Sequence, residues 1–431
     1  MSARSRNYAA LSVFMFCFFF AQAMTMSLLS IWLTRSLGLN GVEAGTVFSA
    51  NFVGAMCAQP VYGYLSDRMG FRKVVPLSIA LLVILSGFFF TFVYAPLLQW
   101  NIVVGAIVGG IYLGLTFIAG SYAIETFVDR VGRKYAFEYS RVRLWGSLGF
   151  ASAAVFSGHL YNIDPGINFA IASIAGVILL PVLFFARIDP DRDQQAVADR
   201  LRPRDSLAVL GVPKFWQFMV LILGVTNLYL VYDQQFPFYF SSLFPTPEEG
   251  SEMFGYLNSA QIFVEAGGLF AAPFIVRRIG ATRGLLLATA IMILRIAASG
   301  VAIGPITISM CKMAHAIELP ILAVSIFRYI AYHFEAKLAS TVYMVGVSFG
   351  HSLGLAILSP IVGIGYDHFG FQHTYFLIAA FALVFWIWSF FTLSATPPEF
   401  GNRTSPDIGA PLAAVDPSIG NDDITLKGSN R

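Results

Sequence analysis

Twelve separate stretches of mostly apolar residues, each near the length of about 20 that crosses a bilayer as a helix, constrain this chain more than any other feature. They fall at 9–34, 43–65, 73–96, 100–125, 140–161, 167–187, 214–240, 253–276, 284–302, 305–330, 338–365 and 372–395. Only helices and closed barrels satisfy every backbone polar group in hydrocarbon, so stretches of this length predict an all-α membrane protein. Composition agrees. A soluble chain carries about 25% charged residues, whereas this one carries 12%, with 41 Phe among its 431 residues.

The first stretch follows Arg4 and Arg6 and contains Ala21-Gln22-Ala23, an imitation of a cleaved signal. It runs on to Trp32, longer than a signal's apolar region, and is expected to stay as the first helix. A net charge of +3 gives no ground for nucleic-acid binding. Cys17, Cys57 and Cys311 lie in apolar runs, outside any CxxC or Cys/His cluster, and read as small buried residues, not as a disulfide or a metal site. No nucleophile motif, metal cluster or phosphate-binding loop points to an enzyme.

Residues 188–213 interrupt the pattern with Asp189, Asp191, Arg192, Asp193, Arg200, Arg202, Arg204 and Asp205. The predicted organisation is a six-helix bundle over 1–187, a polar linker over 188–213, a second six-helix bundle over 214–395 and a disordered tail over 396–431. Lys and Arg concentrate in alternate loops: Arg68, Arg72 and Lys73; Arg130, Arg133 and Lys134; the linker; and Arg277, Arg278 and Arg283. The intervening loops carry almost none, with Arg35 the exception. By the positive-inside rule both termini and the linker are cytoplasmic.

The loop after the second helix reads Gly63-Tyr64-Leu65-Ser66-Asp67-Arg68-Met69-Gly70-Phe71-Arg72-Lys73, and a looser copy runs from Pro273 to Arg283. Glycine suits a tight turn, and the charges suit neighbouring helix ends. In Gly63, Asp67, Arg68, Gly70, Arg72 and Lys73 the first copy resembles the loop signature of the major facilitator superfamily. That resemblance implies a conformational-switch element and the major facilitator fold: twelve transmembrane helices in two six-helix bundles related by a repeat.

A charge inside the bilayer costs several kcal/mol on insertion scales and needs a partner or a purpose. In the first half, Glu125 lies near the end of helix four and Arg143 near the start of helix five, across a short loop. They read either as a helix-end ion pair or as a carboxylate and guanidinium for sugar hydroxyls, with Phe150 two turns on. The second half has Tyr229, Asp233, Gln234 and Gln235 on helix seven, Asn258, Gln261 and Glu265 on helix eight, Arg295 on helix nine, and Lys312, His315 and Glu318 on helix ten. The spacing i, i+3, i+6 puts the last three on adjoining parts of one face. Such a set is either a structural salt-bridge network or proton-coupling machinery. Burial disfavours a charged carboxyl and a guanidinium favours it. A glutamate passing between an apolar setting and Arg295 takes up and releases a proton, and Glu318 is the candidate. Asp233 and Lys312 neutralise each other, and His315 is suited to bridge substrate and proton site through its two ring nitrogens.

Lys312-x-x-His315-x-x-Glu318, Asp233-Gln234-Gln235, Arg295 and the Glu125/Arg143 pair together resemble the oligosaccharide:proton symporters, the lactose permease and its sucrose-transporting relatives. The resemblance covers nearly the whole chain, from Ile31-Trp32-Leu33 to Phe391-Thr392-Leu393-Ser394. It implies that Glu125 and Arg143 bind sugar hydroxyls and that Phe150 stacks on a sugar ring. It implies further that His315 touches sugar and relays to Glu318, which deprotonates as Arg295 approaches, and that Gly45 and Gly255 let two helices close on the outer side. The chain departs from the lactose permease in several places. Ile262 replaces an essential carboxylate, with Glu265 three residues on. Leu230 and His351 replace a charge pair. Asn258, Gln261 and Glu265 look like the sucrose-type members, and Ser121 leaves room beside the pocket for a second ring. The expected activity is proton-coupled uptake of a disaccharide, sucrose ahead of lactose or an α-galactoside, across the bacterial inner membrane. A carrier of another polyol-like solute, such as a nucleoside or trisaccharide, and a sugar sensor are the alternatives. The expected partners are sugar, proton and lipid bilayer, with no cofactor and a monomeric state.

Overall fold

The computed structural model describes residues 2–69, 72–188, 209–334 and 342–396, apart from the side chains of 67–69, 140, 344 and 345. Gly70, most of the linker and the tail beyond 396 lie outside the described residues, as do the side chains of Asp67 and Arg68. Twelve helices result. In the first bundle, α1 is Ala3–Ser36, α2 Gly41–Met69, α4 Ile102–Tyr135, α5 Tyr139–Ile163 and α6 Pro165–Phe185. Between α2 and α4, α3 combines Val74–Ile84 with Ser86–Trp100 across a 43° bend. In the second bundle, α7 is Pro213–Ser241, α8 Pro247–Ile279, α9 Ala281–Val301 and α10 Gly304–His333. Helix α11 (342–369) and α12 (371–392) divide at Gly370, whose φ of 74° turns the chain back.

Local chemistry sets many of the boundaries. Asn101 caps α4 by accepting from the Val103 and Val104 amides. Asp164 caps α6 and Thr246 caps α8, each followed by a proline in the first turn, where its missing N–H costs nothing. Gly280, with φ 87°, ends α8. The ends of the helices define two faces. One carries the start of α1 and the end of α12 and is called the terminal face below; the opposite one is the far face.

Among the described residues eight helices, or nine with the bent α3, are long and apolar enough to cross a membrane, α11 and α12 counting there as one. The other two, α2 and α5, are mixed in polarity, carrying Asn51 and Gln59, and Arg143, His159 and Asn162. They make the most extensive contacts with the other bundle: α2 packs along α11, and α5 along α8.

Three sequence expectations need correction. The cysteines are not buried: Cys57 is exposed, and Cys17 and Cys311 are half-buried. Helix α4 does not end near Glu125 but continues to Tyr135, so Glu125 stands well inside it. Its last turns hold an i,i+4 ion pair, Arg133 to Asp129 at 2.6 Å, and Arg133 and Lys134 complement the helix dipole before Ala136 ends it in the left-handed region. Gly63 is not a turn residue. It lies within α2, with open space where a Cβ would stand. The loop lysine acts inside its own bundle: Lys73 Nζ donates to the carbonyls of Leu183 and Ala186 and so caps the end of α6. Arg72 is exposed.

Lys73→Met should therefore destabilise the first bundle by about 1–3 kcal/mol, the scale of hydrogen bonds to a charged group. Thermal unfolding of the purified protein checks this; an unchanged midpoint would mean that water replaces the ammonium at no cost.

Candidate functional site

In the first bundle, α4 and α5 bring Glu125 and Arg143 together. Arg143 Nε donates to Glu125 Oε1 at 2.7 Å, and Nη1 to Ser147 Oγ at 3.2 Å, one turn further along α5. The guanidinium lies 4.2 Å from the ring centroid of Phe19 on α1. Gly146 makes this approach possible: a Cβ there would stand 2.7 Å from the Phe19 ring. Both charged side chains remain partly accessible, Glu125 at 25% and Arg143 at 34%. Phe150 is half-buried against the core, so the aromatic on Arg143 is Phe19. The sequence offers no means of choosing Phe19 from the run Phe18-Phe19-Phe20. Ser121 Oγ donates to the Ile118 carbonyl of its own helix, which leaves it a small surface near Glu125.

In the second bundle the predicted ionisable residues converge. Lys312 Nζ donates to Asp233 Oδ1 at 2.9 Å, and Arg295 Nη1 lies 3.6 Å from the same oxygen. Arg295 Nε stands 3.0 Å from Glu318 Oε1, and both side chains are fully buried. His315 Nδ1 is 3.3 Å from that carboxylate oxygen, and its Nε2 is 3.9 Å from Glu265. The Tyr229 hydroxyl meets the His315 ring. The Arg295 guanidinium sits between aromatic faces, 4.8 Å from the centroids of both Tyr229 and Tyr232. Tyr232 is a site residue that the sequence reading missed; its only signal was its place one turn after Tyr229. Helix α10 is interrupted at Ala314, yet Lys312, His315 and Glu318 still point to the same group of partners.

The network is unequally compensated. Asp233 has two cations, whereas Glu318 Oε2 is buried without a hydrogen-bond partner. On α8, Gln261 is buried, Asn258 and Glu265 are half-buried, and Glu265 lies within electrostatic reach of Arg143 from the other bundle. The two clusters therefore face each other across the bundle interface. Among the described residues no group of three His, Cys, Asp or Glu side chains is arranged to hold a metal ion.

On the far side of this interface the bundles touch through small residues. A Cβ at Gly45 would stand 2.4 Å from the Ser359 carbonyl of α11, and one at Gly255 would stand 2.5 Å from the Ala154 carbonyl of α5. Backbone cannot yield at such distances, so each position admits only glycine while the helices are closed.

Two helical bundles, the first with a partly accessible ion pair and the second with ion pairs buried within it, define a multi-pass membrane transporter of the major facilitator fold. The chain belongs to the LacY proton/sugar symporter family, which it matches over residues 1–404. It is 38% identical to the raffinose permease of Escherichia coli over 402 residues, 91% of this chain and 94% of that protein. It is 35% identical to the sucrose permease of Escherichia coli over 395 residues, with the same shares covered. Identity to the lactose permease of Klebsiella oxytoca is 38% over 372 residues, 85% of this chain and 89% of that one. Among solved structures, a single-residue variant of the nucleoside transporter NupG matches with a TM-score of 0.77 at 15% identity, over 90% of this chain and all of that one. These relatives are transporters, not enzymes.

Breaking one partner of the buried network should cost more than removing a pair. Asp233→Asn leaves Lys312 without its counter-ion beside Arg295 and should lower stability by about 3–5 kcal/mol. Asp233→Asn combined with Lys312→Met should recover most of that loss. Membrane abundance and thermal stability of the three proteins check this, and additive losses would show that the two residues do not act as a pair.

Proposed function

We propose that the protein imports a disaccharide together with a proton by alternating access, with sucrose the favoured substrate. The observation that carries this reading is the Glu318 carboxylate, fully buried and held by Arg295 at 3.0 Å and His315 at 3.3 Å. Separation of Arg295 from Glu318 would leave a carboxylate in apolar surroundings, and a proton would then neutralise it. His315 connects that event to Glu265 and thus to the interface where sugar would bind. Arg143 and Glu125 supply donors and acceptors for sugar hydroxyls, and Phe150 and Phe19 offer apolar faces. Asn258, Gln261 and Glu265 would read the second ring, with Ser121 leaving space for it. Tyr229 orients His315, and Asp233 and Lys312 hold Arg295 in place. Gly45 and Gly255 serve closure of the far side.

In this reading the far face is the outside of a bacterial inner membrane, and both termini and the 188–213 linker are cytoplasmic. The placement of Lys73, Arg130, Arg133, Arg277 and Arg278 at the terminal face supports it. No cofactor is needed, because the proton gradient supplies the driving force, and a monomer suffices. A second substrate reading, a raffinose-type trisaccharide, is favoured by the 38% identity to the raffinose permease. The sensor reading is disfavoured, since binding alone needs no buried proton site.

Glu318→Ala should abolish accumulation against a gradient while sugar counterflow in proteoliposomes continues; loss of counterflow as well would take Glu318 out of the coupling role. Arg143→Lys should abolish binding, because lysine lacks the planar fork that makes two parallel hydrogen bonds. Unchanged affinity in that variant would contradict the assigned pocket. Alkalinisation of weakly buffered cells on addition of sucrose, raffinose, lactose or melibiose would rank the substrates.

A further inference from the structure

Arg35 is the basic residue that breaks the loop-charge pattern, and the structure gives it partners in the other bundle. At the end of α1, its Nη1 donates to the Pro247 carbonyl at 2.5 Å and to Ser251 Oγ at 3.0 Å, and its Nη2 to Ser241 Oγ at 2.9 Å. One guanidinium thus ties the first bundle to the end of α7 and the first turn of α8. Nearby, Asn162 Nδ2 at the end of α5 donates to the Glu248 carbonyl at 2.7 Å.

The other seam has a matching device of opposite charge. The exposed carboxylate of Asp367, on α11, accepts from the Gly41 amide at 2.7 Å and from the Val42 amide at 2.8 Å. Gln235 of α7 donates to the Gly41 carbonyl at 3.1 Å. The start of α2 is therefore capped from two sources. Asn40 and Glu43 satisfy each other's backbone amides within the first bundle. The Gly41 and Val42 amides, by contrast, find their acceptor only in the second bundle. An acid at a helix N-terminus is a favourable cap, and here it is made across the interface that alternating access must open. A Cβ at Gly41 would stand 2.6 Å from Asp367 Oδ1, so this glycine also makes the approach possible.

We propose that Asp367 and Arg35 form a two-point lock, one point on each seam, that holds the far face shut and sets the balance between its closed and open states. Both points consist of charge-assisted hydrogen bonds between bundles, and both must exchange their partners for water when that face opens. The proposal rests on the alternating-access reading given above, but its test does not depend on the substrate.

Spin labels at Trp100→Cys in the first bundle and Ile303→Cys in the second, both highly exposed on the far face, report the separation. The background is the full chain in lipid nanodiscs with Cys17, Cys57 and Cys311 replaced. Pulsed electron resonance should give mainly the short distance in this parent. Asp367→Ala and Arg35→Ala should each raise the ratio of long to short distances about tenfold, the change that about 1.4 kcal/mol produces, and the double variant further. Asp367→Asn, which keeps one acceptor, should fall between parent and Asp367→Ala. An unchanged distance distribution in the double variant, with a parent-like melting curve, would overturn the lock. A lowered melting temperature without the long distance would overturn it too, by assigning both residues to plain structural support. Absence of counterflow in the parent would instead count against the transport reading and leave the distance result intact.

Discussion

A fully buried Arg295 against a fully buried Glu318 is the contact on which the rest of the second bundle depends. Neither charge is tolerable alone in hydrocarbon, and the Coulomb gain of the pair is offset by the water each has lost. The surroundings reflect that balance. Tyr229 and Tyr232 present ring faces to the guanidinium, Asp233 shares it, and Lys312 compensates Asp233 in turn. A network built only for stability would have been simpler as apolar packing, since well-packed hydrophobic replacements for buried ion pairs are often neutral or stabilising. Its members also come from α7, α9 and α10, three helices that would otherwise need only apolar contact.

The two bundles divide the work unequally. The first contributes one ion pair that stays partly accessible, with an aromatic and a hydroxyl around it. The second contributes a fully buried Arg295–Glu318 pair, with Asp233, Lys312, His315 and Glu265 around it. In the function proposed above, the accessible pair would exchange its partner for a ligand's hydroxyls and the buried Arg295–Glu318 pair would hold or lose a proton.

Much of this was legible in the residues. Charges in apolar stretches stand out because each one needs an explanation, so Glu125, Arg143, Asp233, Arg295, Lys312 and Glu318 could be named and paired before any coordinates. Aromatic partners could not. Phe19 is one of 41 phenylalanines, and its role comes from the gap at Gly146, a tertiary property. The extent of α4 was misjudged because a hydropathy pattern ends where the lipid ends, whereas a helix continues into water if ion pairs such as Arg133–Asp129 support it. The glycines of the interface divided similarly. Gly45 and Gly255 were named through resemblance to a family; Gly41, Gly158 and Gly363, which stand equally close to the opposite bundle's backbone or carboxylate, carry no distinguishing signal in a chain with 38 glycines.

Those glycines explain why the polar contacts of the far seam carry weight. Closure through small residues brings backbones together over two helix pairs, α2 with α11 and α5 with α8, and gains close dispersion contact. In the alternating-access reading proposed above, closed and separated arrangements must lie near in free energy, so that both are populated. In such a balance, a few charge-assisted hydrogen bonds between bundles decide the ratio. Arg35 and Asp367 make such bonds, and they lie at the ends of α1 and α11, where opening moves them furthest. In that reading the same near-degeneracy would let a change as small as the protonation of Glu318 or the filling of the sugar site shift the whole molecule: each would need only to favour one arrangement by a few kcal/mol to reverse the population.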